Sequence, residues 1–150
     1  MRIVGGKFRG FKLNSPKNFQ IRPTSDRLKE SIFSIIESEK YSNCIEGKFF
    51  LDLFTGTGSI GLEAFSRGAD TVYLLDKNSE SIELSKKNII KLNLFNLLEK
   101  KLFLLKTNVL NLNNISLPVF DFIYIDPPYK TNYFNEILEI LIKNKNLNSG

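Results

Sequence analysis

The stretch of the chain best suited to chemistry is Asp126-Pro127-Pro128-Tyr129. Two consecutive prolines fix φ and remove two backbone donors, so the carbonyls around them are held as acceptors. Asp126 adds a carboxylate acceptor, and Tyr129 adds a flat face for a base. An exocyclic amine on a nucleobase is a poor nucleophile, because its lone pair is delocalised into the ring. Accepting both of its hydrogens, at Asp126 and at the Pro127 carbonyl, would draw the nitrogen towards sp3 and aim the lone pair outward at a methyl group. Such a reaction runs on proximity and in-line orientation and needs no imidazole. The chain has no histidine and one cysteine, Cys44. That excludes Ser-His-Asp and Cys-His catalysis, a disulfide framework and most transition-metal sites, so no metal is expected. Cys44 reads as a buried or partly buried bystander.

A second constellation lies upstream, in Asp52-Leu53-Phe54-Thr55-Gly56-Thr57-Gly58-Ser59-Ile60-Gly61. Gly56, Gly58 and Gly61 spell G-x-G-x-x-G, and Asp76 follows 20 residues after Gly56. This is formally the dinucleotide fingerprint, so a nicotinamide dehydrogenase stays open at this point. The physics of the turn is shared by several ligands. Glycines let the backbone approach, a helix N-terminus offers free N–H groups, and an acid on the next strand suits a ribose diol. No Gly-Lys-Ser/Thr follows, which excludes a P-loop. Asp52 separates the remaining readings. A carboxylate pointing at the turn is unwelcome beside a pyrophosphate and suits a ligand carrying an amino cation and a sulfonium, as S-adenosylmethionine does. The other reading of Asp52 is an outward-facing strand end.

These residues need strands and helices to hold them, and the patterning supplies both. Strands are predicted at Phe49–Phe54, Thr71–Leu75, Leu102–Leu105 and Phe120–Ile125. Helices are predicted from Thr24 or Ser25 to about Glu39, over Ser59–Arg67, from an Asn78 cap to about Asn93, and over Phe134–Lys143. In the first helix Leu28, Ile32, Ile35 and Ile36 recur at helical spacing; in the third, Ile82, Ile89 and Ile90 point inward. Strands alternating with helices imply an α/β fold, a doubly wound parallel sheet that binds ligands at the carboxyl ends of its strands. The Gly56 turn, Asp76 and Asp126 all fall at such ends. No run is long and apolar enough to span a membrane, and the N-terminus has no secretory h-region.

The net charge of +5 is concentrated at one end. Residues 1–30 hold eight bases and two acids, and four of the chain's five arginines lie before residue 28. Arg presents a planar fork that matches phosphate, which Lys does not. Residues 2–13 read as a glycine-punctuated β-hairpin with bases among aromatics. The segment is therefore a candidate polyanion-binding surface, the alternative being an ordinary solvated face.

Taken together these residues resemble class I S-adenosylmethionine-dependent methyltransferases that carry the amino-methylating [DN]-P-P-[YF] motif. More narrowly, the chain is similar to the bacterial 16S rRNA guanine-N2 methyltransferase family. The N-terminal signature of that family is matched by Arg2-Ile3-Val4-Gly5-Gly6, Arg9-Gly10, Lys12-Leu13 and Arg22-Pro23-Thr24-x-Asp26-Arg27 with Glu30 and Phe33. Its cofactor motif is matched by Asp52-x-Phe54-x-Gly56-x-Gly58-x-x-Gly61-Leu62-Glu63-Ala64 with Ser66-Arg67-Gly68-Ala69.

The resemblance implies a Rossmann-like methyltransferase core over residues 41–150 and an RNA-binding hairpin-and-helix extension over 1–40. It implies a cofactor, S-adenosylmethionine, held by Asp52, Phe54, Thr55, Gly56 and Gly58, by Asp76 with Lys77, and by Asn108 with Val109. Many relatives carry an acid at the position of Asn108. Asp126, Pro127, Pro128 and Tyr129 would be catalytic and hold a flipped guanine. Arg2, Lys7, Arg9, Lys12, Arg22, Arg27 and Lys29 would contact rRNA. The implied partner is 16S rRNA in an assembled or assembling small ribosomal subunit, with ribosomal proteins as part of the substrate, met by a cytoplasmic monomer. The family's sheet carries further strands after the fourth, and none is predicted after the last helix. The sheet is expected to be C-terminally incomplete, with its fourth strand an open edge beside the site. Alternatives kept open are an adenine-N6 DNA methyltransferase, which shares Asp-Pro-Pro-Tyr, and a truncated non-catalytic RNA-binding remnant.

Overall fold

The computed structural model describes residues 1–17, 21–38, 44–128 and 133–148. Four strands, β1 (Phe49–Leu53), β2 (Thr71–Asp76), β3 (Leu102–Lys106) and β4 (Phe122–Ile125), form one sheet in the order β3-β2-β1-β4. Every pairing is parallel, with Asp52 opposite Leu74 on one side and Tyr124 on the other. Helices α1 (Asp26–Ile36), α2 (Ser59–Ser66), α3 (Ser79–Lys91) and α4 (Tyr133–Lys143) alternate with them. Each predicted element is present, with ends within about three residues.

Because strand side chains alternate, β1 feeds two cores. Phe50 joins Ile3, Leu13, Phe33, Ile60, Leu62, Val72, Leu74 and Ile89 beneath the N-terminal segment and α1–α3. Leu51 and Leu53 join Leu75, Val109, Phe120, Ile137 and Leu141 beneath α4. The chain order reverses between β1 and β4, so the crevice at their carboxyl ends is the topological switch point. No helix among the described residues is long and apolar enough to cross a membrane.

The arms of the N-terminal hairpin share one antiparallel bridge, Arg2 to Lys12, with Ile3 N–H donating to the Phe11 carbonyl, Leu13 N–H to the Met1 carbonyl and Gly10 N–H to the Ile3 carbonyl. It is fastened to α2. Fully buried Glu63 accepts from the Val4 and Gly5 amides at 2.9 and 2.7 Å. Ser66 takes three more bonds: its carbonyl accepts from Lys7 N–H, and its hydroxyl links Phe8 N–H to the Gly5 carbonyl.

Four expectations need correction. In α1 the buried residues are Lys29 and Phe33, with Ile32 and Ile36 packed partly buried against the same core, while Leu28 and Ile35 are exposed; the acidic partner on α2 draws Lys29 into the buried face. In α3 Ile89 is buried but Ile90 is exposed, and Ser81, Ser85 and Asn88 fill the inner face. Cys44 is exposed. After α4 the chain does begin a strand-like pairing. Phe120 N–H donates to the Asn146 carbonyl at 2.8 Å, Asn148 N–H donates to the Phe120 carbonyl at 2.9 Å, and Leu147 is thereby a parallel partner of Phe120.

Candidate functional site

The site is built where β1 runs into α2. Phe54 leaves the strand at φ +62°, a costly conformation for a residue with a side chain. Gly58 follows at φ +79° as the N-cap of α2, where Ser85 Oγ would lie 3.0 Å from a Cβ. Gly61 has a different reason to be glycine. A Cβ there would meet Leu74 Cδ2 at 2.1 Å, so α2 lies on β2 only because that atom is missing.

Three carboxylates converge on this turn. Asp52 is 1% exposed; its Oδ2 accepts from Thr55 Oγ1 at 2.9 Å and from Gly61 N–H at 3.0 Å. Burial pushes its carboxyl up to about 7 against the pull of those two bonds, and the charges of Asp76 and Asp126 push the same way. Asp76 ends β2 with Oδ2 on Gly56 N–H at 3.0 Å and Oδ1 on Asn78 N–H at 2.9 Å. Each oxygen keeps a lone pair for a further donor. Asp126 is exposed just past β4. Tyr124, the cross-strand partner of Asp52, stands among them. Burial, and then the facing carboxylates of Asp126 and Asp52, push its phenol up to about 12.

A cleft beside the turn is lined by Phe54, Lys77, Asn108, Val109, Pro128 and Tyr133. Five of these six were singled out from the sequence for cofactor binding or catalysis. Asn108 also caps the turn that follows it, its Oδ1 accepting from Leu110 N–H at 3.0 Å.

The family model described as conserved hypothetical protein 95 matches residues 1–150. The chain belongs to this family. Ribosomal RNA small subunit methyltransferase D of Haemophilus influenzae is 30% identical over 152 residues, covering 96% of this chain and 72% of that protein. The protein of the same name from Escherichia coli K12 is 30% identical over 149 residues, covering 96% and 68%. Among solved structures, the putative methyltransferase yhhF from Escherichia coli superposes with a TM-score of 0.82 at 26% identity, over 99% of this chain and 75% of that one. The fold is that of the class I methyltransferases.

Within this methyltransferase family fold the sequence-predicted residues fall as follows. Asp52, Phe54, Thr55, Gly56, Gly58 and Asp76 form the turn and its carboxylate rim; Lys77, Asn108, Val109 and Pro128 line the cleft next to it. Pro127 and Asp126 adjoin it at the end of β4, and Tyr129 lies outside the described residues. Lys7, Arg9, Lys12, Arg22 and Arg27 are exposed; Arg2 is exposed too and pairs with Asp26 at 2.9 Å.

Lys29 is the exception, and its assignment to an RNA surface is corrected. It is fully buried, donates to the Arg2 carbonyl oxygen, and stands 3.7 Å from Glu63. Burial pushes its ammonium down, with Glu63 and Asp26 pulling it back up. A phosphate cannot reach it without dismantling that pair.

Residues the sequence reading passed over are Ser85, Asn88, Tyr124 and Tyr133. Only a polar stripe at helical spacing, Ser81, Ser85 and Asn88, could have signalled the first two.

Proposed function

We propose that this chain transfers a methyl group from S-adenosylmethionine to the exocyclic N2 amine of a guanine in 16S rRNA. The observation that carries the proposal is the meeting of two motifs in one cleft. Pro128, at the end of the Asp126-Pro127-Pro128 run, and Phe54, at the start of the glycine turn, line the same cleft at the switch point. When bound there, S-adenosylmethionine supplies an electrophilic methyl group.

The residues present fit that ligand. Asp52, Asp76 and Asp126 make the turn a negative basin, which favours an amino cation and a sulfonium over a pyrophosphate. This weighs against the dinucleotide reading left open by G-x-G-x-x-G. Asp76 has acceptor capacity for ribose hydroxyls; Phe54, Lys77, Asn108 and Val109 wall the adenine side. Asp126 and the Pro127 carbonyl accept the two hydrogens of the target amine and turn its lone pair outward, and Tyr129 stacks on the base. No side chain needs to act as a histidine would.

Residues 1–40 serve as the RNA-binding extension and 41–150 as the catalytic core. Arg2, Lys7, Arg9, Lys12, Arg22 and Arg27 offer exposed cations to phosphate. The proposed substrate is a small ribosomal subunit, assembled or assembling, met in the cytoplasm by a monomer. Relatives named for ribosomal RNA small subunit methylation support this choice of substrate.

The test is labelled S-adenosylmethionine with small subunits that lack the modification. Label in 16S rRNA, on guanine N2 after nucleoside digestion, is the expected result. Label that enters DNA on adenine and leaves rRNA untouched would refute it and favour an adenine-N6 enzyme.

A further inference from the structure

Two of the bonds that fix the glycine turn come from α3. The Gly56 carbonyl accepts from Ser85 Oγ at 3.1 Å, and the Thr57 carbonyl accepts from Asn88 Nδ2 at 2.9 Å. Asn88 is fully buried and its amide is fully engaged. Its Oδ1 accepts from Asn14 N–H at 2.7 Å, and its Nδ2 also donates to the Asn14 carbonyl at 3.3 Å. One side chain on α3 therefore holds two backbones together, that of the turn and that of the basic N-terminal segment. Two further contacts join the same pair. Buried Ile21 places Cγ2 3.3 Å from where a Gly56 side chain would begin, and Thr57 Oγ1 lies 3.5 Å from Met1 Sδ.

We infer that Asn88 is a positioning residue that couples nucleic-acid binding on the N-terminal segment to ligand binding at the glycine turn. The inference rests on the function proposed above. Asn14 follows Lys12 by two residues, and Ile21 precedes Arg22. Phosphates that immobilise those cations immobilise Asn14 and Ile21. Asn88 cannot follow Asn14 away from the turn without leaving buried polar groups unpaired, which is costly. A fixed Asn14 thus holds the Thr57 carbonyl in place, and the turn meets its ligand already ordered. By reciprocity a ligand in the turn orders the basic segment. Ser85 provides an internal comparison, because its hydroxyl bonds the Gly56 carbonyl and not the N-terminal segment.

The experiment measures the affinity of S-adenosylhomocysteine by equilibrium dialysis, alone and with saturating small subunits, for four proteins. In the native chain the subunit tightens binding on the order of ten-fold. Asn88→Ala brings that ratio to about one while both ligands still bind singly. Ile21→Ala, which removes an apolar contact and no hydrogen bond, also lowers the ratio and serves where Asn88→Ala does not fold. Ser85→Ala weakens the ligand alone but keeps the ratio. A native ratio of one, with both ligands bound, overturns the coupling and leaves the proposed function standing. So does a ratio that survives both Asn88→Ala and Ile21→Ala. Failure of the native protein to bind either ligand overturns the proposed function, and the coupling with it.

Discussion

Replacing Asp52 by Asn keeps the shape of the side chain and removes its charge. Burial raises the Asp52 carboxyl from 3.8 to about 7, a shift of about 3 units, or about 4 kcal/mol between its two protonation states. The folded protein holds this proton more tightly than the unfolded chain does. The stabilisation is therefore complete below the unfolded value, near pH 4, and is lost as pH rises through about 7. Urea melts of the native chain and of Asp52→Asn, taken side by side from about pH 5 to about pH 8, isolate this group, because every other titration is common to both. The native chain should lose stability relative to the variant across that window, by about 2–3 kcal/mol, since only about two pH units separate its lower end from the folded value. A cationic ligand next to Asp52 favours the ionised form, so it should bind more tightly as pH rises through 7 and release a proton on binding. Calorimetry in buffers of different ionisation enthalpy reads that proton. S-adenosylmethionine, with its sulfonium, should release more than S-adenosylhomocysteine, and Asp52→Asn should release none. A stability difference that stays flat with pH, or a proton taken up on binding, would refute the reasoning.

Glu63→Ala strands the buried Lys29 ammonium and two amides, so urea melts should show a loss of about 3–5 kcal/mol. Gly61→Ala forces α2 away from Leu74; a loss of about 1–3 kcal/mol, with weaker S-adenosylhomocysteine binding, is expected from melts and dialysis. Asp126→Ala should cut methyl transfer by about a hundred-fold or more with S-adenosylhomocysteine affinity unchanged; loss of both together would make Asp126 a cofactor residue. Arg9→Ala and Lys12→Ala should each lower the salt slope of RNA binding by about one. Lys29→Ala should leave that slope alone and lower the melting temperature instead.

The sheet was legible because its signals are local. Phe49–Leu53 and Thr71–Asp76 are short apolar runs that end in an acid or a glycine turn, and Asn78 and Ser25 cap the helices they precede. Gly61 stood in a motif, although its reason, the approach of Leu74, is a tertiary one. What failed to show was set by partners far along the chain. Lys29 on an otherwise amphipathic helix reads as a solvated cation until Glu63 is placed beneath it. Ser85 and Asn88 read as solvent-facing polar side chains until the carbonyls of Gly56 and Thr57 need donors in a buried place. The pairing of Leu147 with Phe120 involves three residues, Asn146-Leu147-Asn148, of which one is apolar, too short a run to carry a strand pattern.

The positive charge of the N-terminal segment does two different jobs, and the sorting matters for how the molecule works. Lys29 is turned inward onto Glu63, while Arg67 closes the same cluster from the end of α2 by binding Glu63 at 2.9 Å and Glu37 at 2.7 Å. These charges fasten the segment to α2. Lys7, Arg9, Lys12 and Arg27 stay in solvent, and only such charges can set the strength and salt dependence of nucleic-acid binding. Counting bases would merge the two groups and overstate the electrostatic footprint. The fastening also fixes direction: the helix that anchors the segment through Glu63 and Ser66 is the helix whose first turn carries Gly58 and Gly61. A change that loosens the anchor should therefore weaken binding at the glycine turn before it weakens attraction to phosphate. The order of those two losses, as Glu63 is replaced by Gln and then by Ala, distinguishes an anchoring role for the buried charges from a nucleic-acid-binding one.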